Sequence, residues 1–247
     1  RRQASDVYKR QANAYTNSNG ARVRPRSKRQ SELEYQLRNW SDFTWLGGDP
    51  IVEQHVQNLD VINWIKGSVP VEAQGQGGRE QRSSQSGQTF DHHAVEFTYA
   101  DGFKLFSQCR QLHGGWRRVG EQVLGQSGSC DISQGVIRDS GGKVIWRSAS
   151  SVTAGKGWQA QMNHLFDSLR SGRVPNDCVE AANSTMTAIL GRLATYSGQL
   201  VTWEQAVQSD YRSNEHELPR SLNDAPPAQR DAAGNYAVAR PGSKPLA

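Results

Sequence analysis

Residues 94–110 read AVEFTYADGFKLFSQCR and carry the clearest fold signal in this chain of 247 residues. Val95, Phe97 and Tyr99 alternate with smaller or polar residues, which is the two-residue period of a half-buried strand. Asp101-Gly102 is typical of a tight hairpin turn, and a second hydrophobic run follows it. The stretch therefore predicts two antiparallel strands joined by a short turn.

The neighbouring segments extend this hairpin into a larger sheet. Strands are predicted at 71–76, 94–99, 103–110, 119–124, 128–132, 135–139 and 143–147. Because short turns rather than helices connect these strands, the sheet should be mainly antiparallel. Helices are predicted at 51–66, at 158–170, from Asp177 and after Thr202. Together these elements predict an α+β fold.

Composition narrows the classes of function. Hydrophobic residues make up 35% of the chain, and no run approaches the roughly 20 apolar residues that a membrane span needs. The net charge is +5, but ten of the 29 Lys and Arg residues lie in residues 1–38, and no basic stripe with aromatic residues follows, so nucleic-acid binding is not expected. The three cysteines are far apart, which favours reduced thiols at or near the core over a zinc or disulfide site.

The chain divides into four segments by composition. Residues 1–11 look foreign, because Asp6–Gln11 (DVYKRQ) matches a translated end of a sequencing-library adapter. Residues 12–34 lack a helical or strand period over most of their length and are predicted to be an extended or disordered connection. Residues 35–210 form the predicted globular domain. Residues 211–247 form an irregular tail, either laid over a neighbouring surface or mobile.

Residues 36–60 concentrate the side chains that could carry chemistry: aromatic rings, a guanidinium, carboxylates and an imidazole around a helix start. On a regular helix, Glu53, Gln57 and Asp60 share one face, and His55 points away from it. Spacing alone leaves two interpretations open. The face is either a functional site or a solvated helix surface backed by a core histidine.

Several motifs, in order along the chain, resemble the C-terminal domain of Gfo/Idh/MocA-type oxidoreductases. They are residues 36–60, Asp91-His92, Phe106–Gln111, Ser184–Arg192 and Val201–Glu204. The resemblance implies an open, mainly antiparallel sheet with helices packed on one face, which supplies the substrate pocket and the oligomer contact. It also implies a preceding Rossmann domain that binds NAD or NADP, of which residues 12–34 would be the connection.

The same resemblance implies the site residues. The family helix resembles D-x-x-x-H-x-x-D, and aligning its last Asp with Asp60 places Glu53 at the first carboxylate and Gln57 at the histidine. A glutamine amide does not titrate near neutrality, so Gln57 cannot be a general base. His55 could replace it only if the helix start were distorted. The catalytic candidates are therefore Glu53, His55 and Gln57, and the substrate-binding candidates are Arg38, Asn39, Trp40, Asp60 and Arg110.

The expected function is the substrate-binding and oligomerisation domain of an NAD(P)-dependent oxidoreductase acting on a sugar or cyclitol hydroxyl. NAD or NADP would bind the full-length protein, whereas this chain alone should bind no cofactor tightly and be inactive. A homo-oligomer through the sheet is expected, and no metal. Two alternatives remain open: an NAD-dependent glycosidase of the same family, and a degenerate non-catalytic carbohydrate-binding or assembly module. Cytoplasmic and periplasmic locations also both remain open.

Overall fold

The computed structural model describes residues 9–20, 23–148, 156–210 and 218–242. Within them, nine strands form one open sheet in the order β8-β7-β6-β5-β1-β4-β3-β2-β9. The strands are β1 (Lys9–Ser18), β2 (Pro70–Gly78), β3 (His92–Tyr99), β4 (Lys104–Gln111), β5 (Arg118–Gly125), β6 (Gly128–Asp131), β7 (Val136–Asp139), β8 (Val144–Arg147) and β9 (Val201–Thr202). Every neighbouring pair is antiparallel except β1 and β4. The predicted mainly antiparallel α+β fold is therefore confirmed.

Six α-helices accompany the sheet. They are α1 (Glu32–Arg38), α2 (Asp49–Glu53), α3 (Val56–Lys66), α4 (Lys156–Arg170), α5 (Cys178–Ser197) and α6 (Trp203–Gln208), with one 3-10 turn at Trp40–Asp42. Helices α2, α3 and α5 cover one face of the sheet: α5 lies on β2 and β3, α3 on β1 and β5, and α2 on β4. The core between these two layers includes Ile51, Leu59, Ile62, Val95, Phe97, Leu105 and Leu190. None of the helices in the described part of the chain is long and apolar enough to cross a membrane.

Strand β1 corrects the prediction for the segment before residue 34. Residues 12–18, predicted to be an irregular connection, belong to a strand between β4 and β5 at the centre of the sheet. Ala12, Ala14 and Thr16 form its buried side, and such small residues give almost no hydropathy signal. The strand begins at Lys9, within the segment proposed to be foreign, whereas residues 1–8 lie outside the described residues.

The helix predicted at 51–66 is interrupted. Gln54 and His55 form a turn between α2 and α3, and both of their backbone N–H groups donate to the carbonyl of Pro50, at 3.1 and 3.0 Å. The His55 bond therefore skips one residue beyond the regular helical partner, which inserts an extra residue into the turn. This break reorients every side chain that follows it relative to Glu53.

Helix α4 confirms the helix predicted at 158–170, and its apolar side chains are exposed. Met162, Leu165, Phe166 and Leu169 are all exposed, as is Trp158 at 77%. Among the described residues, no other element packs closely against this helix. The face therefore lies open in this chain.

The three cysteines agree only in part with the prediction of reduced thiols at or near the core. All three thiols are free, and Cys109 is buried, but Cys178 is exposed and so lies outside the core.

The described part of the tail, residues 218–242, is irregular as predicted and packs on its own chain. Tyr236, only 2% exposed, lies 5.0 Å from Phe43 between ring centroids, edge to face.

Candidate functional site

Helix α2 begins with a backbone conformation that residues other than glycine seldom adopt. Asp49 has φ +65°, and no other non-glycine residue in the described ranges has a positive φ. It follows the Gly47-Gly48 turn and precedes Pro50, whose fixed φ suits the first turn of a helix. The left-handed residue directs the chain so that the Asp49 side chain points into the protein, where it is fully buried.

The buried Asp49 carboxylate meets basic groups from two other elements. Its Oδ2 lies 3.4 Å from Arg192 Nε on α5 and 3.5 Å from His93 Nε2 on β3. Burial raises the pKa of Asp49, and the Arg192 guanidinium opposes that rise. Burial and the same guanidinium lower the pKa of His93 well below its usual value, so this imidazole is neutral near pH 7. Asp49 and Arg192 therefore form the charged pair of this cluster.

Aromatic rings enclose this pair. The Arg192 guanidinium carbon lies 4.4 Å from the centroid of the Tyr196 ring, and that ring stacks on Phe90 with centroids 4.0 Å apart. His93 Nδ1 is 2.9 Å from Thr195 Oγ1, which fixes the orientation of the imidazole. The pair is thus held in a dry environment, in which its mutual attraction is strong.

Glu53 occupies the other end of α2. Its Oε1 is buried, and among the described residues no hydrogen-bond donor meets it. This oxygen lies against Gly47, where an added Cβ atom would force the Glu53 carboxyl to move. Burial first, and the negative charge of Asp49 second, raise the pKa of Glu53 to about 7. A carboxyl group with this pKa exchanges protons at neutral pH, which suits a general acid or base.

His55 lies in a separate buried network and faces the sheet. Its Nδ1 is 2.7 Å from Thr16 Oγ1, and its Nε2 is 2.8 Å from Ser107 Oγ. Because the Thr16 hydroxyl donates to Asn58 Oδ1 at 2.6 Å, it must accept from His55 Nδ1–H, which leaves Nε2 to accept from Ser107. Burial lowers the pKa of His55 to about 4. The imidazole is therefore neutral, and the helix break directs it into the sheet rather than towards Glu53.

Gln54, in the same break, is tied to the loop that follows β2. Gln111 Nε2 donates to Gln54 Oε1 at 3.1 Å, and Arg82 in turn donates to Gln111 Oε1. Arg82 Nη1 also donates to Asp42 Oδ1 at 2.9 Å. This chain of polar contacts fixes the 3-10 turn, the β2–β3 loop and the helix break relative to one another. Glu53 lies beside it, because the charges of Arg82 and Asp42 both act on its carboxyl.

The remaining residues singled out in the sequence are dispersed. Gln57 and Asp60 are exposed on α3, and Asp60 accepts a hydrogen bond from Ser184 Oγ at 2.6 Å, which links α3 to α5. Arg38 is exposed, and the Trp40 side chain is half exposed. The backbone carbonyl of Trp40 and Glu53 Oε1 both lie next to Gly47.

Two predicted substrate-binding residues take positions away from Glu53. Asn39 is buried and bonds to the backbone of Arg24, accepting at 2.8 Å and donating at 3.2 Å. Arg110 lies on the sheet face opposite the helices and donates to the Trp116 carbonyl at 2.7 Å. Of the candidates, the Glu53 carboxyl and the Trp40 main chain lie next to the same residue, Gly47.

One feature of the sequence indicates the buried pair of Asp49 and Arg192 and was not used in the predictions. Arg192 interrupts the apolar run of α5 between Leu190 and Leu193, and a guanidinium at such a position needs a buried acidic partner. Spacing could not identify that partner, because Asp49 lies far away in sequence. The glycines of residues 75–78 belong to β2 and open no helix, so this cluster does not fit a dinucleotide phosphate site. The described residues also include no group of three His, Cys, Asp or Glu that could hold a metal ion.

Comparison with known proteins gives matches by structure only. No protein-family model matches the sequence, and no curated protein matches it. Aldose-aldose oxidoreductase from Caulobacter crescentus, solved with glycerol, is similar with a TM-score of 0.60 and 16% identity, over 81% of this chain and 57% of that one. Scyllo-inositol dehydrogenase from Lactobacillus casei, solved with NAD(H) and scyllo-inositol, is similar with a TM-score of 0.59 and 11% identity, over 82% of this chain and 59% of that one. Myo-inositol 2-dehydrogenase from Lactobacillus plantarum is similar with a TM-score of 0.56 and 15% identity, over 81% of this chain and 58% of that one.

The similar structures are Gfo/Idh/MocA-type NAD-binding oxidoreductases, which confirms the resemblance seen in the sequence. At 11–16% identity, the likeness establishes the fold. The sheet and its helices correspond to the C-terminal domain of those proteins. This chain spans less than three fifths of the length of each of the three.

Proposed function

Starting from a fold shared with sugar and cyclitol dehydrogenases, we propose that this chain is the substrate-binding domain of an NAD(P)-dependent oxidoreductase. Its substrate would be a hydroxyl of a sugar or cyclitol. The observation that carries the proposal is the similarity over about four fifths of the chain to enzymes such as scyllo-inositol dehydrogenase, whose structure holds scyllo-inositol and NAD(H). The position and proton affinity of Glu53 add support from the chain itself.

Glu53 would accept the hydroxyl proton of the substrate. Oxidation of an alcohol removes that proton to a base and a hydride from the carbon to an acceptor. A carboxyl with a pKa of about 7 is ionised in part of the molecules at neutral pH and returns the proton easily. Gln57 and the neutral, buried His55 cannot take this role. The glycines of residues 75–78 do not form a dinucleotide site, and we propose that a separate domain holds the NAD or NADP.

Trp40 would contribute a binding surface. Trp40 is 50% exposed, its backbone lies next to the same glycine as the Glu53 carboxyl, and an indole face packs well against the C–H groups of a sugar ring. Arg38, exposed on the preceding helix, would donate hydrogen bonds to substrate oxygens. Both side chains are free to meet a ligand without rearrangement of the core.

We test the proposal by titrating the purified chain with myo-inositol, scyllo-inositol and D-glucose while following ligand NMR signals. At least one of them should bind, and Trp40→Ala should weaken that binding by roughly three- to tenfold, since one aromatic contact is lost. Trp158→Ala, at an indole exposed on α4, is the matched control and should leave binding unchanged. Absence of binding by all three compounds, or equal binding by both variants, would contradict the proposal.

A second measurement addresses the reaction itself. The chain mixed with NAD⁺ or NADP⁺ and the bound polyol should give no absorbance at the wavelength of the reduced cofactor. A protein that joins this chain to a dinucleotide-binding domain should give it, and Glu53→Gln in that protein should lower kcat. Turnover that is unaffected by this substitution would remove Glu53 from the reaction.

We also propose that the helix-free face of the sheet joins copies of this chain. Phe106 on β4 is exposed there, at 38%, and on the same face Tyr15 of β1 packs edge to face against Trp116. A large, twisted sheet with one uncovered face that carries apolar and aromatic side chains favours association with another such face.

A further inference from the structure

Helix α2 carries a carboxylate at each of its ends, Asp49 at the first residue and Glu53 at the last. The negative charge of Asp49 acts on the Glu53 carboxyl and raises its pKa. A helix of only five residues has little intrinsic stability, so contacts from outside must hold this arrangement.

The Asp49 carboxylate makes those contacts with the rest of the protein. Arg192 on α5 and His93 on β3 approach the Asp49 carboxylate at 3.4 and 3.5 Å, and all three residues are buried. The left-handed φ of Asp49 is the backbone conformation that brings its carboxylate into this position. The pair therefore fastens the first turn of α2 to the helix layer and to the sheet at once.

The geometry points to Asp49, paired with Arg192, as a positioning residue for Glu53. By locking the first turn of α2 against α5 and β3, the pair places Glu53 Oε1 inside the protein against Gly47. This inference concerns how the carboxyl is held, so it goes beyond the proposed function and does not depend on a substrate or cofactor.

Several charged groups around Glu53 act on the pKa of its carboxyl group. Asp49 acts on it from its own helix, Arg82 from the β2–β3 loop and Asp42 from the 3-10 turn. Cys109 on β4 faces both carboxylates of α2 as a buried thiol, and burial raises its pKa. Arg82 opposes the effect of Asp49 and Asp42. The charge of Asp49 is the largest of these contributions, after burial, to the proton affinity of Glu53.

The experiment is a titration of the Glu53 carboxyl in the full chain labelled with ¹³C at glutamate side chains. Glu53→Gln identifies the resonance by its disappearance. In the unmodified chain the midpoint is expected near pH 7. Asp49→Asn removes the charge while retaining a residue that tolerates positive φ. We expect this variant to lower the midpoint by about one pH unit, a tenfold increase in the acid dissociation constant.

Asp167→Asn serves as the charge-matched control, because Asp167 is an exposed carboxylate on α4. Its substitution should leave the Glu53 midpoint unchanged. Should Asp49→Asn fail to fold, judged by circular dichroism, Asp49→Gly makes the same charge change with a freer backbone. A folded Asp49 variant with an unaltered Glu53 midpoint would overturn the inference, as would failure of both variants to fold, since Asp49 would then be purely structural.

Discussion

His55 Nδ1 lies 2.7 Å from Thr16 Oγ1, so the break between α2 and α3 is tied directly to the central strand β1. This hydrogen bond depends on the helix break. An unbroken helix would direct residue 55 differently, and without the break the imidazole would not reach between Thr16 and Ser107. The residue therefore links the helix layer to the sheet at the point where the chain turns towards Glu53.

This buried imidazole makes stability depend on acid. The folded-state pKa of His55, about 4, is below its value of 6.5 in an unfolded chain, so the unfolded state binds more protons between these values. The contribution of His55 is complete above pH 6.5 and is lost as the pH falls towards 4, by about 3 kcal/mol. Urea unfolding at pH 7 and pH 4.5 should show a smaller loss of stability in His55→Gln than in the unmodified chain. His164→Gln, at an exposed imidazole on α4, should lose as much as the unmodified chain.

Glu53 should produce the opposite dependence on pH. Its pKa of about 7 in the folded state exceeds the usual 4.5, so the folded state binds more protons between these values. Stability should therefore decrease as the pH rises from 4.5 to 7 and then level off. Allowing for partial exposure of the carboxyl, we expect about 1 kcal/mol. The difference in unfolding free energy between the unmodified chain and Glu53→Gln, measured at pH 5 and pH 7.5, isolates this effect. An equal difference at both values would contradict it.

Tyr236 should anchor the C-terminal segment. Its ring packs on Phe43, and its hydroxyl donates to Glu32 and accepts from Arg26. Tyr236→Ala should cost about 3 kcal/mol, because a buried ring and its hydrogen bonds are lost together. Tyr236→Phe should cost about 1 kcal/mol, because Arg26 and Glu32 remain paired with each other.

Thermal and urea unfolding of these variants measure both effects. Leu222→Ala, at a side chain 54% exposed in the same segment, is the control and should change stability by less than about 0.5 kcal/mol. If Tyr236→Ala proved equally mild, the segment would contribute little to the folded state.

The uncovered sheet face should govern self-association. Sedimentation of the unmodified chain is expected to show a species larger than the monomer, and Phe106→Lys should shift it towards the monomer, because an apolar contact is replaced by a charge. Val207→Lys places the same charge at an exposed apolar position on α6 and should leave the larger species intact. A monomer in all three samples would reject the proposed interface.

Much of the sheet could be predicted from the sequence. The hairpin of β3 and β4 has clear alternation and a strong turn, and the Ser31–Glu34 and Thr202–Gln205 capping boxes occur as their spacing predicts. Strand β1 could not be predicted in this way. Its buried face consists of two alanines and a threonine, and what makes it a strand is hydrogen bonding to β4 and β5, which are distant in sequence.

The candidate site divides in the same way. Of the residues that the sequence singled out, the Glu53 carboxyl and the Trp40 main chain lie next to Gly47, whereas Asn39 and Arg110 bond elsewhere. The ideal helical spacing that grouped Glu53 with Gln57 and Asp60 does not hold, because the turn at Gln54–His55 intervenes.

The sequence by itself determined the local elements, since alternation, turns and caps act between near neighbours in the chain. Only the tertiary structure decided which groups titrate near neutrality. The proton affinity of Glu53 depends on its burial against Gly47 and on the charge of Asp49. Asp49 in turn depends on Arg192, more than 100 positions away. Desolvation and charge–charge interactions act through space, so they exist only once the chain has folded.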